Sequence, residues 1–274
     1  MLPAEYLNEV SCFESLRAYR GNIFCFDSHL DRLEDSCEGI GKSLPLSKKD
    51  LKRWITGALG ESGFRDAVMR FSVHWHSIKQ GICLIIIREF LGYPNRWYKN
   101  GVHLSTAVAK RWSLRAQNPQ IKASTYVSGV LTTLDQQKAM PHEFIFLNEL
   151  GFVAEGSISN LFIINPAHDI RSVPVIGGVK SKRILTPSIS SGILRGVTRG
   201  TVIDLAKKRD MEVVETFLTR HDIYSAEECF MANTSSEVLP VVSVDGRTIA
   251  NGKPGWITNL LARDFRTFVK ENNQ

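Results

Sequence analysis

The chain has 274 residues, of which 43% are hydrophobic and 23% charged, the profile of an ordinary folded protein. Its formal net charge is +6, but the 34 basic residues are scattered among 28 acidic ones without a basic block. We therefore expect no nucleic-acid partner, and a mildly basic surface that favours small anions such as phosphates and carboxylates.

The cysteines and the apolar runs predict a cytoplasmic protein. The five cysteines are an odd set without a C-x-x-C pair, which fits neither a zinc site nor a disulfide framework. Reduced thiols of this kind are typical of the cytoplasm. The first residues lack the pattern of a signal peptide. The longest apolar run, Ile82 to Ile87, is too short to cross a bilayer.

The first part of the chain predicts strands and helices in segregated order, which is typical of an α+β domain. The turn at residues 20–22 lies between two short apolar stretches and predicts a hairpin. The predicted elements are strands at 13–19 and 23–26, a helix capped by Ser28, a helix beginning at Ser47 with Leu51, Trp54, Ile55 and Leu59 inward, and strands at 67–75 and 82–88.

The polar stretch at 111–119 ends in proline and predicts a domain boundary. We expect a smaller N-terminal α+β domain at 1–112, a linker at 113–119 and a larger C-terminal α/β domain at 120–274. Gly151 suits a turn with positive φ. The elements predicted in the larger domain are helices at 125–138, 198–209 and 256–270, strands at 143–147, 161–164, 212–215, 228–231 and 238–244, and a long loop or extended hairpin at 166–182.

Two ionisable residues have apolar or small neighbours. Lys122 lies in PQIKASTYVSGVL, where desolvation would lower the pKa of its amine and make it a nucleophile. A lysine in such a segment is, however, more often a solvated surface charge. Glu155, in GFVAEGSISNLFII, ends one strand and precedes another, and by itself indicates a turn carboxylate bonded to nearby backbone.

Two other segments carry groups that bind anions. In SGILRGVTRGTVIDLA, a Gly-Val-Thr at a helix start offers backbone N–H groups, a hydroxyl and the positive end of the helix dipole to a phosphate. A Thr-capped amphipathic helix explains the same pattern. In MANTSSEVLP, a short polar loop after a strand could hold a carboxylate or be an ordinary turn.

Other kinds of catalytic site have little support. His74 and His76 share one face of a strand, but no third metal ligand lies near them in sequence, which favours a packed or surface pair. The chain has neither G-x-S-x-G nor a P-loop. We therefore expect no metal site and no Ser-His-Asp catalysis.

Taken in order, five segments resemble the class IV aminotransferases, the fold-type IV pyridoxal-phosphate family. CFESLRAYRGNIFCFDSHLDRL resembles the opening hairpin and helix of that family, IKASTYVSGVL its lysine segment, and FIFLNELGFVAEGSISNLFII its glutamate segment. LTPSISSGILRGVTRGTVIDLA is similar to its phosphate-binding segment, and FMANTSSEVLPVVSVDGRTIANGKPGWIT to its closing loop and hairpin. The resemblance implies a two-domain α+β fold with the larger domain a pseudo-barrel, pyridoxal 5'-phosphate in the inter-domain cleft, and a homodimer.

The resemblance also assigns roles around the cofactor ring. Lys122 would bond covalently to the cofactor and move the proton during catalysis. Glu155 would bond the pyridine nitrogen and keep it protonated. Tyr126 would approach the phenolic oxygen, and Leu194 would lie on the ring face.

The remaining assignments concern anions. Arg32, Val197 and Thr198 would hold the cofactor phosphate through a guanidinium, backbone N–H groups and a hydroxyl. Thr234 and Ser235 would lie at the substrate carboxylate, with Thr234 also near the phosphate.

Phe13 and Arg70 would line the pocket for the substrate side chain. The implied activity is transfer of an amino group from an amino acid, most like a branched-chain L-amino acid, to a 2-oxo acid. Three alternatives stay open: aminodeoxychorismate lyase, which eliminates pyruvate with the same lysine, a D-amino-acid aminotransferase, and a non-catalytic cofactor-binding relative.

Overall fold

The computed structural model describes residues 10–75, 81–110, 118–123, 142–166 and 182–272. Contacts group these residues into two compact units. The first contains 10–75, 81–92, 120–123 and 269–272, and the second contains 93–110, 118–119, 142–166 and 182–268. Within the described ranges, no helix has the length and apolar character needed to span a membrane.

The first unit is built on an antiparallel sheet with strand order β2-β1-β3-β4. The hairpin predicted at residues 20–22 is confirmed, although its second strand has only two residues. The elements are β1 (Val10–Tyr19), β2 (Asn22–Ile23), α1 (Phe26–Gly39), α2 (Lys48–Ser62), β3 (Ala67–Trp75) and β4 (Gly81–Glu89).

Alternation along the strands builds the core of this unit, because successive side chains point to opposite faces of a sheet. One face is apolar and is buried with the inner faces of the two helices. Leu51, Ile55 and Leu59 repeat every four residues on α2, and all three are buried as predicted. Trp54 was predicted inward but is 39% exposed, because it lies at the flank of this stripe and packs edge-on against Phe71.

The helix starts show one correct prediction and one error. Ser47 is the N-cap of α2, and its hydroxyl accepts a hydrogen bond from the Asp50 N–H at 3.1 Å. Ser28 is not a cap, because α1 already begins at Phe26. The Cys25 carbonyl accepts the first helical bond, from the His29 N–H at 3.2 Å.

The second unit contains a long mixed sheet with strand order β10-β9-β8-β11-β12-β5-β6-β7, and β13 pairs with β12. Its elements are α3 (Asn95–Asn100), β5 (Val102–Thr106), β6 (Glu143–Leu147), β7 (Val153–Gly156), β8 (Asn160–Pro166), β9 (Lys182–Pro187), a 3₁₀ turn (Ile189–Ser191), α4 (Val197–Lys207), β10 (Glu212–Thr216), α5 (Arg220–Tyr224), β11 (Glu228–Asn233), β12 (Glu237–Val244), β13 (Arg247–Thr248) and α6 (Trp256–Asn272).

The two ends of this sheet meet. Val153 on β7 forms an isolated bridge with Leu218, two residues beyond β10, and its N–H donates to the Leu218 carbonyl at 2.7 Å. Val153 and Leu218 are both buried in one cluster with side chains from β5, β6, β8, β11 and β12. The sheet therefore curves around a single apolar core, as the strands of a barrel do.

The compact units depart from the domain bounds drawn from the sequence at three places, one of which is 269–272, the end of α6, which belongs to the first unit. Residues 93–110 belong to the second unit because β5 pairs in parallel with both β12 and β6. Residues 120–123 belong to the first unit, where Ala123 bridges Cys12 on β1. Strands β5 and β9 and helices α3 and α5 were not predicted, whereas the strand expected to end at Glu155 corresponds to β7. The predicted helix at 125–138 and most of the predicted loop at 166–182 lie outside the described residues.

A buried carboxylate caps the C-terminal helix. Glu228 on β11 is 6% exposed and accepts hydrogen bonds from the N–H groups of Ile257 and Thr258, at 3.0 and 2.8 Å. The Thr258 hydroxyl donates to the same carboxylate at 2.8 Å. A Cβ on Gly255 would lie 1.9 Å from the Glu228 carboxyl carbon, so this close approach requires glycine. The first turn of α6 thus depends on a residue of a neighbouring strand.

We expect the Glu228→Ala variant to lose about 3 kcal/mol of unfolding free energy, because two buried N–H donors and a hydroxyl lose their acceptor. Urea denaturation followed by circular dichroism measures the change. Glu271→Gln, at the exposed end of the same helix, is the matched control, with an expected change within about 0.5 kcal/mol. Equal stabilities of the two variants would contradict the capping role.

Candidate active site

The position of Lys122 is set by two bonds of its backbone. Its carbonyl accepts a hydrogen bond from the Phe13 N–H on β1 at 2.9 Å, and its own N–H donates to the Ser36 hydroxyl on α1 at 3.1 Å. The Nζ atom lies 4.8 Å from the centre of the Phe13 ring, in cation–π range. The predicted lysine is therefore a half-buried residue attached to β1 and α1.

Phe13 also contacts a second cation. The guanidinium carbon of Arg70, on β3, lies 3.6 Å from the centre of the Phe13 ring. Arg70 is exposed overall, but partial burial lowers the pKa of its guanidinium. The structure thus brings Lys122, Phe13 and Arg70 together, of which the resemblance assigned Lys122 to the cofactor and the other two to the pocket for the substrate side chain.

Arg32 on α1 is held by a carboxylate that the sequence analysis did not single out. Its Nε and Nη2 atoms donate to the two oxygens of Glu14, each at 2.7 Å. The Nδ1 atom of His29, one turn before Arg32, lies 2.8 Å from the same carboxylate. Glu14 is fully buried at the centre of β1, and its only signal in the sequence is that it is one of two charged residues in that strand, with Arg17.

The protonation of this cluster follows from burial and from the neighbouring charges. Burial alone would raise the pKa of Glu14, but the Arg32 charge and the hydrogen bonds from His29 and Arg32 outweigh it and lower the pKa to about 2. Burial lowers the pKa of His29, and Glu14 opposes this only in part. At neutral pH the cluster is therefore a carboxylate between a guanidinium and a neutral imidazole.

Glu155 is a buried, oriented acid in the second unit. It lies on β7 and is 4% exposed. Its Oε2 atom accepts hydrogen bonds from the Asn160 side-chain amide at 3.1 Å and from the Leu194 N–H at 3.0 Å. The same Asn160 amide donates to the Leu194 carbonyl at 3.0 Å. Asn160, which the sequence analysis missed although it lies in the quoted glutamate segment, therefore fixes both Glu155 and Leu194.

The N-terminus of α4 presents the predicted phosphate-binding groups. Gly196 precedes Val197 and Thr198 and has no side chain to cap the helix, so the first N–H groups are not blocked by a capping residue. A Cβ on Gly196 would lie 2.1 Å from the Asn160 side-chain oxygen, so only glycine fits here. Thr198 is 4% exposed. This arrangement suits an anion at the start of the helix.

The turn at Thr234 and Ser235 is held by the side chain of the preceding residue, Asn233. The side-chain oxygen of Asn233 accepts hydrogen bonds from the N–H groups of Ser235 and Ser236, at 2.9 and 2.7 Å. Two of the backbone donors expected for a substrate carboxylate therefore have a protein partner. The hydroxyls of Thr234 and Ser235, which are half-buried, are the groups that can serve a carboxylate.

Of the other candidate residues, the structure describes His74. The His74 Nε2 atom lies 2.8 Å from the Ser72 hydroxyl, while His76 and Tyr126 are outside the described residues. In the ranges that the structure describes, no group of three or more His, Cys, Asp or Glu residues could hold a metal ion.

Comparison with known proteins gives a consistent family. The pattern of the family described as amino-transferase class IV matches residues 11–244. An Aquifex aeolicus protein named "Probable branched-chain-amino-acid aminotransferase" is 36% identical over 276 residues, covering 94% of this chain and 83% of that protein. The D-alanine aminotransferase of Bacillus licheniformis is 29% identical over 254 residues, covering 90% of this chain and 83% of that enzyme.

Solved structures agree with the relatives. The T.th. branched-chain amino acid aminotransferase with pyridoxamine 5'-phosphate has a TM-score of 0.84 at 27% identity, covering 97% of this chain and 86% of that one. The same enzyme complexed with N-(5'-phosphopyridoxyl)-L-glutamate has a TM-score of 0.83. The chain belongs to the class IV aminotransferases, and the resemblance and the α+β fold predicted from the sequence are confirmed.

The Glu14 cluster predicts how stability depends on pH. Because the folded pKa of about 2 lies below the ordinary value of 4.5, the unfolded chain binds more protons as the pH falls between these values. The stabilisation from Glu14 is therefore complete above pH 4.5 and decreases toward pH 2. We expect the difference in unfolding free energy between wild type and Glu14→Gln to be largest at neutral pH and to shrink on acidification.

Urea denaturation at a series of pH values measures this difference. Glu38→Gln, which removes an exposed carboxylate from α1, is the control variant. A wild-type advantage over Glu14→Gln that stays constant down to the lowest accessible pH would contradict the assignment.

Proposed function

We propose that this aminotransferase uses pyridoxal 5'-phosphate to move an amino group from a branched-chain L-amino acid to a 2-oxo acid. The observation that carries the proposal is the buried Glu155 carboxylate, which Asn160 and Leu194 hold in one orientation. The names of the Aquifex aeolicus protein and of the T.th. enzyme support the substrate class. The relatives are named as aminotransferases, so they do not favour the lyase alternative.

The donor set fits pyridoxal phosphate. The chain offers an amine at Lys122, a buried acid at Glu155, and a helix N-terminus at Gly196, where a larger residue would clash with Asn160. When bound, the cofactor supplies the electron sink that makes the substrate Cα–H bond acidic. The protein must then supply a base, an acid and an anion site.

Lys122 is the proposed base and the residue that bonds covalently to the cofactor. Its backbone bonds to Phe13 and Ser36 fix where the side chain starts, and the flexible aliphatic chain beyond Cα lets the amine change its position. That combination suits an amine that must move a proton away from the substrate Cα and back to the product.

Glu155 is the proposed partner of the pyridine nitrogen. A carboxylate keeps a proton on a nearby ring nitrogen because its negative charge favours the positively charged, protonated form of the ring. The hydrogen bonds from Asn160 and Leu194 fix the direction of the Glu155 carboxylate. Leu194, 8% exposed and bonded through its N–H, would lie on the ring face, and Tyr126 would approach the phenolic oxygen.

The phosphate would bind at the start of α4, to the N–H groups of Val197 and Thr198 and the Thr198 hydroxyl. The proposed role of Arg32 is to add a guanidinium charge. Its two hydrogen bonds to Glu14 fix the plane of that guanidinium, and charge-assisted donors bind phosphate well.

The substrate carboxylate would bind the hydroxyls of Thr234 and Ser235. Phe13 would line the pocket for the substrate side chain, where an aromatic ring suits a branched aliphatic group. The proposal also includes a cytoplasmic homodimer. Support for the dimer comes from edge strand β4, where Ile82, Leu84 and Ile86 form an apolar row that is 55%, 47% and 44% exposed.

A D-amino-acid substrate is the second candidate, because the Bacillus licheniformis relative is a D-alanine aminotransferase. Transfer rates with L-leucine, L-valine and D-alanine, measured with one 2-oxo acid acceptor, separate the two candidates. Faster transfer from D-alanine would overturn the L-branched-chain proposal and retain the aminotransferase assignment.

Covalent attachment at Lys122 is the first prediction of the proposed function. After addition of pyridoxal phosphate and reduction with borohydride, peptide mass mapping should find the label on Lys122. We expect Lys122→Ala to remain unlabelled and to lose transaminase activity by about 10³-fold or more. Lys49→Ala, an exposed lysine on α2, should keep both label and activity. A label on another lysine in the wild type would contradict the role of Lys122.

The position of Arg70 predicts how the 2-oxo acid acceptor is recognised. A guanidinium beside the Phe13 ring can pair with the distal carboxylate of a dicarboxylic 2-oxo acid. We expect Arg70→Met to raise the KM for 2-oxoglutarate about tenfold or more, and to change the KM for 4-methyl-2-oxopentanoate about twofold at most.

Steady-state kinetics with the two acceptors measure this difference, and Arg88→Met on the adjacent strand is the control for loss of an exposed arginine. Equal effects of Arg70→Met on both acceptors would show that Arg70 does not distinguish them.

A further inference from the structure

A chain of hydrogen bonds connects strand β6 to the turn that contains Thr234 and Ser235. The Ser159 hydroxyl donates to Glu143 at 2.7 Å, and the Asn233 side-chain amide donates to the Ser159 oxygen at 2.8 Å. The side-chain oxygen of Asn233 accepts hydrogen bonds from the N–H groups of Ser235 and Ser236. Asn233 is thus bonded to the turn on one side and to Ser159 on the other.

The direction of every bond in this chain is determined. The Asn233 oxygen accepts two N–H groups, so its nitrogen must face Ser159 as the donor. Because the Ser159 oxygen then accepts that bond, its own hydrogen is directed to Glu143. Hydrogen bonds arranged in one direction polarise and strengthen one another in a buried site.

Glu143 is the fixed end of this chain of hydrogen bonds. It is 7% exposed, and its Oε1 atom accepts the N–H groups of Ile158 and Ser159 at 2.7 and 3.0 Å. A Cβ on Gly156 would lie 2.2 Å from Oε1, so the backbone of β7 packs directly against this carboxylate. Burial raises the pKa of Glu143, and the hydrogen bonds from Ile158 and Ser159 oppose this.

Ser159 and Asn160 are neighbours that serve different groups. Ser159 bonds Glu143 and Asn233, whereas Asn160 bonds Glu155 and Leu194. The Ser159–Asn160 dipeptide, where β8 begins, therefore ties two parts of the proposed site to the same stretch of backbone. These are Glu155, the proposed acid, and the turn whose hydroxyls are proposed to bind the substrate carboxylate. A shift of either group would strain the bonds of the other.

We infer that Ser159 and Asn233 are positioning residues for the amino-acid substrate, because they hold the Thr234–Ser235 turn where its hydroxyls meet the substrate carboxylate. This inference rests on the proposed function. Neither residue needs to touch the substrate, since each acts through the turn.

Two variants break the chain of hydrogen bonds, each at a different bond. Ser159→Ala removes the hydroxyl that joins Asn233 to Glu143. Asn233→Asp keeps the acceptor oxygen for the N–H groups of Ser235 and Ser236, so the turn keeps its own bonds and the fold is retained. It replaces only the donor that faces Ser159 with a second oxygen. Both variants therefore loosen the turn relative to β6 without changing a residue that contacts the substrate.

The matched control is Ser243→Ala. Ser243 is a buried serine on β12 whose hydroxyl lies 2.6 Å from the His103 Nδ1 atom, and neither residue belongs to the chain of bonds described above. It measures the effect of losing one buried hydroxyl in the same unit.

The experiment measures the kcat and KM of the complete enzyme with pyridoxal phosphate, and the Ki of 4-methylpentanoate. This acid carries the carboxylate and side chain of leucine without its amino group, so its Ki reports carboxylate binding without chemistry. We expect Ser159→Ala and Asn233→Asp to raise the KM for the amino donor and this Ki together, by about tenfold, with kcat changed about twofold at most. Absorbance titration should show unchanged binding of pyridoxal phosphate.

The pH profile separates positioning from general loss of structure. A protonated Asp at position 233 regains a donor toward Ser159, and burial near Glu143 would raise the pKa of that Asp. We expect the KM defect of Asn233→Asp to shrink as the pH falls, and that of Ser159→Ala to persist. The KM and Ki of the double variant should be no higher than those of the more affected single variant, because both substitutions break the same chain of hydrogen bonds.

The outcomes distinguish this inference from the function on which it rests. A wild type that transfers no amino group from any amino acid would contradict the proposed function. An active wild type whose Ser159→Ala and Asn233→Asp variants match Ser243→Ala in KM and Ki would overturn the positioning role alone.

Discussion

Burying a carboxylate costs free energy unless its oxygens are bonded, and the candidate site is organised by this constraint. Glu14, Glu143 and Glu155 are each less than a tenth exposed, and each is bonded to groups from a different element. Glu14 joins β1 to α1, Glu143 joins β6 to the start of β8, and Glu155 joins β7 to the segment before α4. Every such carboxylate therefore fixes a distance between elements that the apolar core alone would leave adjustable.

The same constraint explains why the candidate functional groups are held by residues beside them. Arg32 is oriented by Glu14, Glu155 by Asn160, and the Thr234 turn by Asn233. Lys122 is the contrast, because backbone bonds to β1 and α1 hold it while its flexible aliphatic chain lets the amine move. The proposed function, in which one cofactor phosphate and ring are bound and protons are moved, needs this division between rigid anion-binding groups and one movable amine.

Local patterns predicted much of the fold. The hairpin at 20–22, the cap at Ser47 and strand β6 follow from turn chemistry, capping and alternation, which act over a few residues. Strand β5 also alternates, with Val102 and Leu104 buried and His103 exposed, but it was not predicted. Its parallel pairing with β12 and β6, strands distant in sequence, assigns it to the second unit, and no local signal contains that pairing.

The sequence by itself determined the family, because five segments in one order carry the lysine, the acid, the anion-binding helix start and the closing loop. It also determined which residue types are available, since each segment brings its own functional side chain. Only the tertiary structure decided the partners: Asn233 and Ser159 are 74 residues apart, and Glu14 and Arg32 are 18 apart. The physical reason is that a hydrogen bond forms between groups that folding brings within about 3 Å, whatever their separation along the chain.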